Sequence, residues 1–386
     1  MINIVEKSKC TGCTACANSC PQKCITMIQD EEGFYYPKIN IERCIDCGLC
    51  DKICENTNEF DAANDVNFFV ARDKRIDVLR NSTSGGVYTS MMEYVLTNGG
   101  VVYGVILDEN KIVKFVRVDD INNANFKKIP GSKYVKSMIH DIFNKVKNDL
   151  NLGKKVLFSG TPCQVAGLIS FLRKKYENLI TVDLVCHGTP SPLLWEKYVN
   201  FMEYRYSSEI VDVKFRNKTY GYHHGTMMIK FKNGKIYYGS ARTDLFLKCF
   251  FSDLCSRPSC YDCKYKRINR LSDITIFDSW HASEINNKII DDDKGYTNVI
   301  TQNYKGYLFL KELDDKLDLY ESDLHKGVEL DGIMINNSVK WTKDRQVFFN
   351  DINSVSLNKH CNKFFKITVF DKVIEKSKSF LLKKDK

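Results

Sequence analysis

At 386 residues, with 43% apolar and 12% aromatic content, the chain is long enough for two or three domains with sizeable cores. Its longest apolar stretch, Val101–Leu107, falls far short of a membrane span, and the start Met1-Ile-Asn-Ile-Val-Glu-Lys lacks a signal-peptide plan, so the expected location is the cytoplasm. Sixteen cysteines in such a chain point to metal and redox chemistry over disulfides. The net charge of +9 is uneven. Residues 1–58 carry six Lys or Arg against eight Asp or Glu, a balance of −2 that leaves +11 for the remainder. A basic body beside an acidic unit suits an acidic redox partner or an anionic cofactor. The basic residues form no stripe, which argues against nucleic acid.

Nine cysteines fall in the first 54 residues. Eight of them repeat one pattern: Cys10, Cys13, Cys16 and Cys20 before Pro21, then Cys44, Cys47, Cys50 and Cys54. This is the C-x2-C-x2-C-x3-C spacing of a two-cluster bacterial ferredoxin, in which the fourth cysteine of each run crosses to the other 4Fe-4S cluster. Cys10, Cys13, Cys16 and Cys54 are therefore expected to hold one cluster, and Cys44, Cys47, Cys50 and Cys20 the second. Zinc is the competing metal, but it takes ligands in two pairs and does not need two successive runs of four. Glu55 stands where proline usually follows the second run, a shaping position and not a ligand. Cys24 reads as a small packed residue.

The polar, turn-rich segment Glu55–Asn67 reads as a linker. Beyond it, strands and helices alternate. A helix is predicted over Val87–Thr97, strands over Val101–Leu107 and Ile112–Val118, and a helix over Ser137–Leu150, giving a mixed sheet of α/β or α+β class. Strand Lys155–Ser159 runs into Gly160-Thr161-Pro162-Cys163-Gln164, where Thr161 suits the N-cap, Pro162 the first helical position and Gln164 a capping box. The plan repeats at Leu179–Val185, Cys186-His187 and Gly188-Thr189-Pro190, which is expected to open the helix containing Trp195. Both cysteines would lie at the carboxyl edge of the sheet, where open α/β sheets bind ligands. Cys249, Cys255, Cys260 and Cys263 cluster before the predicted strand Asp273–Asp278. Cys260 and Cys263 have chelating spacing but need two more thiolates, either locally from Cys249 and Cys255 or through the fold from Cys163 and Cys186. His223 and His224 read as a loop pair. The tail Asp371–Lys386, with six Lys and an apolar face of Val373, Ile374, Phe380 and Leu381, reads as a terminal helix docked on its own domain, with peripheral membrane contact as the alternative.

Five motifs in order, Ser82-Thr-Ser-Gly85-Gly86, Gly131-Ser-Lys133-Tyr134, Gly160-Thr-Pro-Cys163-Gln, Val185-Cys186-His and Arg257-Pro-Ser-Cys260-Tyr-Asp-Cys263, resemble the coenzyme F420 hydrogenase/dehydrogenase beta subunit family. The resemblance covers about residues 68–300. It implies an α+β chain: a ferredoxin domain over 1–58, then an α/β flavin-binding domain with a mixed sheet over 68–386, divided into 68–150 and 151–320. It further implies FAD and a third 4Fe-4S cluster held by Cys163, Cys186, Cys260 and Cys263. Coenzyme F420 enters as the implied substrate, and ferredoxin or a partner redox subunit as the electron partner. No G-x-G-x-x-G fingerprint is present, so flavin binding rests on the resemblance. Its expected contacts are Ser84, Gly85 and Gly86 before a helix, Lys133 and Tyr134, and the turn of Gly160, Thr161, Pro162 and Gln164; helix starts and glycines suit a pyrophosphate, with Lys133 adding charge. The activity implied is an oxidoreductase that splits electron pairs. The alternatives are an electron-transfer subunit without turnover of its own, or a flavoprotein reductase in a biosynthetic pathway that does not use F420. No catalytic side chain is assigned.

Overall fold

The computed structural model describes residues 6–54 and 66–384, with side chains through Ser377. Glu55, most of the predicted linker Glu55–Asn67, and the Phe380 and Leu381 side chains lie outside the described residues.

The strands in chain order are β1 (Ile25–Gln29), β2 (Tyr35–Ile39), β3 (Asn67–Asp73), β4 (Val101–Leu107), β5 (Val113–Val118), β6 (Val156–Gly160), β7 (Leu179–Leu184), β8 (Ile210–Asn217), β9 (Thr226–Phe231), β10 (Ile236–Ser240), β11 (Ile274–Ser279), β12 (Tyr296–Thr301) and β13 (Leu317–Glu321). Eight of them form one mixed sheet in the order β13-β3-β12-β11-β7-β6-β4-β5. The inner four, β11, β7, β6 and β4, run parallel, and the flanking strands are antiparallel. Parallel strands covered on both faces read as continuous apolar runs, which is why Val156-Leu157-Phe158 lacks alternation. One face packs on Met91, Val95 and Phe309 from helices Val87–Thr97 and Tyr304–Lys311. The other packs on Phe143, Val146, Val165 and Leu168 from helices Ile142–Asn151 and Pro162–Leu172. Strands β8 to β10 make a separate antiparallel sheet.

The predicted helix over Ser137–Leu150 is shorter, Ile142–Asn151. The helix with Trp195 does not open at Gly188-Thr189-Pro190. It begins at Pro192, with Ser191 as N-cap accepting the Leu193 N–H. The reason is that Thr189–Ser191 is held extended: Ser191 N donates to Cys255 O at 3.0 Å and Arg257 N to Thr189 O at 3.0 Å. A Cβ on Gly188 would come within 2.7 Å of Ser256 Oγ, so the glycine leaves room for this close pairing.

The N-terminal unit, with the β1–β2 hairpin, is embedded in the body. Phe34 at the hairpin is fully buried and belongs to the core containing Trp195, Phe246 and Phe349. The terminal helix Val369–Lys384 docks through polar contacts, with Glu375 accepting from Ser240 N at 2.7 Å and Thr243 Oγ1 at 2.7 Å, while Val369 and Phe370 stay exposed.

Candidate iron-sulfur and cofactor site

Strands β6 and β7 are parallel neighbours, so the turns after them leave the sheet on the same edge. Thr161 caps the helix that carries Cys163, and its N–H donates to Gln164 Oε1 at 3.0 Å. Cys186 lies just beyond the end of β7. The extended pairing of Thr189–Ser191 with Cys255–Arg257 then draws the short 3-10 helix Pro258–Cys260 to that edge. As a result Cys163, Cys186, Cys260 and Cys263 line one small cavity. Burial, then the neighbouring thiolates, pushes Cys186 up to about 12, and Cys263 likewise to about 12. Buried thiols of this kind give up protons to a metal and not to water. Cations surround them: Lys136 Nζ lies 3.6 Å from Cys163 Sγ, Lys266 Nζ donates to Cys186 O at 2.6 Å, and Arg257 and Arg270 complete the wall. Among the described residues no three His, Cys, Asp or Glu side chains come close enough to share one metal ion. Four thiols around one cavity are the number of ligands that a 4Fe-4S cluster takes.

Cys249 and Cys255 are not at this cavity. Both are fully buried in an apolar core with Cys361, whose Sγ lies 3.5 Å from Cys249 Sγ. Burial raises both thiols, Cys249 well above its ordinary value. Their spacing from Cys260 gives no hint of this; the apolar neighbours Phe246, Leu247 and Phe250 are the signal that these thiols are core.

In the N-terminal unit, Cys20, Cys44, Cys47 and Cys50 line a second cavity. Cys24 lies in its wall, buried, with its Sγ 3.3 Å from that of Cys20. Cys16 is pushed up to about 12 by burial and then by the charges of Cys10 and Cys54. Cys54 is thus beside the first run and Cys20 beside the second. Cys13 packs on Gly167 of the helix that carries Cys163. Thr11 lines the four-thiol cavity itself. The Cys10 side of the unit faces the body, and Cys47 on the other side is exposed.

A cavity of about 700 Å³ adjoins the four thiols and shares Lys136, Thr161, Cys186, His187, Gly188 and Thr189 with their cavity. Ser84, Gly86, Lys133, Tyr134, Gly160, Thr161 and Gln164 line it; Gly85 and Pro162 do not. Gly85 is small for a different reason, because a Cβ there would lie 2.5 Å from Ala71 O of β3. Gly86 enters the helix at φ 76°, a left-handed turn that favours glycine. The Lys133 ammonium is turned toward backbone carbonyls. It caps the 3-10 helix Phe126–Lys128 by donating to Lys128 O at 2.7 Å and to Ile129 O at 2.5 Å, and burial brings its pKa down to about 7. Tyr134 stacks on Phe250 at 4.7 Å. Arg216 lies over Trp280 at 4.0 Å and pairs with Asp278. His187 Nε2 is 2.7 Å from Asp253 Oδ1, yet burial holds its pKa below the ordinary value. Sequence reasoning singles out neither Lys136, Arg216 nor Trp280, which carry no spacing signal and meet only through the fold. His223 is a loop residue, paired with Asp291 at 2.7 Å.

Residues 153–326 match the family model for the C terminus of the coenzyme F420 hydrogenase/dehydrogenase beta subunit, and residues 9–58 match the 4Fe-4S dicluster domain. An uncharacterized ferredoxin of Methanocaldococcus jannaschii is 37% identical over 51 residues, 13% of this chain and 65% of that protein's length. A chain of the F420-reducing [NiFe] hydrogenase complex of Methanosarcina barkeri is similar at a TM-score of 0.43 and 16% identity, over 78% of this chain and 91% of that one. No helix among the described residues is long and apolar enough to cross a membrane. The chain thus carries a segment matching the 4Fe-4S dicluster domain ahead of a segment matching the C terminus of the coenzyme F420 hydrogenase/dehydrogenase beta subunit.

Proposed function

We propose that this chain is a flavin-dependent oxidoreductase that exchanges electron pairs with a small carrier of the coenzyme F420 type and passes single electrons to ferredoxin or a partner redox subunit. The observation that carries this reading is the shared wall between the 700 Å³ cavity and the four-thiol cavity. FAD bound in the larger cavity supplies two-electron exchange on one side and one-electron exchange on the other, and 4Fe-4S clusters carry single electrons. The chain's own residues do the positioning. The stacked Tyr134–Phe250 pair offers a flat apolar surface, and Thr161 and Gln164 would add polar side chains to the same wall beside the turn after β6. Cys163, Cys186, Cys260 and Cys263 would hold the proximal cluster, with Lys136 and Lys266 offsetting its negative charge. Cys10, Cys13, Cys16 and Cys54 would hold the next, and Cys20, Cys44, Cys47 and Cys50 the outermost. What supports that order is that Thr11 and Cys13 face the body while Cys47 faces solvent.

Anaerobic reconstitution is expected to give about twelve irons per chain, from three four-iron sites, and an extractable flavin. Screening deazaflavin, NADH and reduced ferredoxin as donors identifies the carrier. C260S is expected to lower iron by one third and to slow flavin-to-ferredoxin transfer at least tenfold, with the N-terminal sites spectroscopically intact. Iron near eight in the unsubstituted chain, or no flavin, overturns the reading; full cofactors without turnover favour an electron-transfer subunit of a larger complex.

A further inference from the structure

One fully buried cation lies between the inner N-terminal thiols and the four-thiol cavity. Arg257 is 1% exposed and lines the wall of the cavity of Cys163, Cys186, Cys260 and Cys263. Its guanidinium reaches out of that wall into the N-terminal unit. Nε donates to Cys10 O at 2.7 Å, Nη2 donates to Tyr35 O at 3.0 Å and lies 3.7 Å from Cys10 Sγ, and Cζ sits 4.1 Å from the centre of the Tyr36 ring. Gly12 packs so closely that a Cβ there would meet the guanidinium at 3.1 Å. Nη1 is buried without a hydrogen-bond partner, and among the described residues no carboxylate pairs with this arginine. A buried cation is costly unless negative charge is near it, and Cys10 together with the four thiols of the cavity that Arg257 lines would bring that charge as cluster ligands.

We propose that Arg257 is a positioning residue for electron transfer, holding the Cys10 loop against the body and raising the electron affinity of the two iron-sulfur sites it separates. This deepens the reading above and rests on it. When one electron passes between the sites, one site is oxidised and the other reduced, and the acceptor's charge becomes more negative by one. A fixed cation beside both favours the reduced state of each, more so at the site whose Cys10 it touches.

The test is an equilibrium reduction titration of the full, reconstituted chain followed by electron paramagnetic resonance. R257M is expected to weaken reduction of the Cys10 site at least tenfold, which is about 59 mV for one electron. R257K keeps the charge and is expected to stay within threefold of the unsubstituted protein. Y36L removes the ring under the guanidinium and is expected to shift the same site in the same direction by less, and it serves where R257M does not fold. Unchanged reduction in R257M or, failing that variant, in Y36L overturns the proposal, as does a shift in R257K as large as in R257M. Iron content of the unsubstituted chain separates the two readings: a shortfall there sinks the three-site account, whereas twelve irons with an unmoved R257M titration sinks only the role of Arg257.

Discussion

Gly167 sits inside the helix Pro162–Leu172, where glycine ordinarily costs about 1 kcal/mol relative to alanine. It is tolerated because Cys13 packs there: a Cβ would lie 2.7 Å from Cys13 Cβ and 3.1 Å from its sulfur. G167A gains helix propensity yet overpacks a filled contact, which costs about 1 to 3 kcal/mol. The expected result is a lower melting temperature and loss of iron from the Cys10 site, with the Cys260 site retained; a raised melting temperature with full iron would contradict it. At this scale the cysteine spacing is legible, because each short loop must wrap its own cluster and the ligand pattern is therefore local. Arg257 and Lys136 are not legible. Each acts across the fold: Arg257 stands at the head of the Cys260 motif, yet nothing near it in sequence shows that it reaches the Cys10 loop, and nothing near Lys136 shows that it meets Cys163.

The β1–β2 hairpin shows what an element can do that its residues do not announce. Its tip is gripped from three sides. Arg345 pairs with Glu32, with Nη1 2.8 Å from Oε1, while also donating to Ser256 O; the Ser191 hydroxyl donates to Glu32 O; and Phe34 meets Phe349 edge-on at 6.1 Å. Arg345 is 4% exposed, so E32A strands a buried charge and is expected to cost roughly 3 kcal/mol. Chemical denaturation measures that loss, and proteolysis should release the N-terminal unit faster. R345M, which fills the space without charge, is expected to cost less. Single strands and helix caps are readable from apolar runs and from Thr161 and Gln164, since those signals are short-range. The helix start at Ser191 is ambiguous in sequence because Pro190 and Pro192 offer the same first-turn signal, and only the pairing with Cys255–Arg257 decides between them. The β8–β10 sheet, with Ile210, Val213 and Phe215 among its apolar positions, is not assigned from sequence.

Across the whole molecule, acid sensitivity collects at carboxylates that lock the sheet to its covering helices. Burial works against the charge of Asp149, but Arg117, Tyr103 and Lys154 outweigh it and hold its pKa down to about 2. Asp73 and Asp108 are likewise opposed by burial and held low by Arg75 and Lys114. A depressed carboxylate contributes stability above its unfolded value near 4 and loses it as pH falls toward 2, so each such group steepens acid unfolding. Asp149, 5% exposed, accounts for about 2 kcal/mol at neutral pH. D149N is expected to lose that amount at pH 7 and to show a flatter stability profile between pH 4 and 2, read by denaturation at each pH. The mixed sheet and the shared edge that carries Cys163 and Cys186 follow from sequence alone, because parallel strands ending in Gly160 and Leu184 must deliver their next residues to one side. The embedding of the N-terminal unit does not, since it depends on partners more than three hundred positions away. That separation has a bearing on biosynthesis. The hairpin is made well before the helix that clasps it, Asp344–Asp351. The ion pair that clasps the hairpin tip can therefore close only after a stretch of more than three hundred further residues has been made, so the N-terminal unit is held first by the core around Trp195 and locked by Arg345 afterwards.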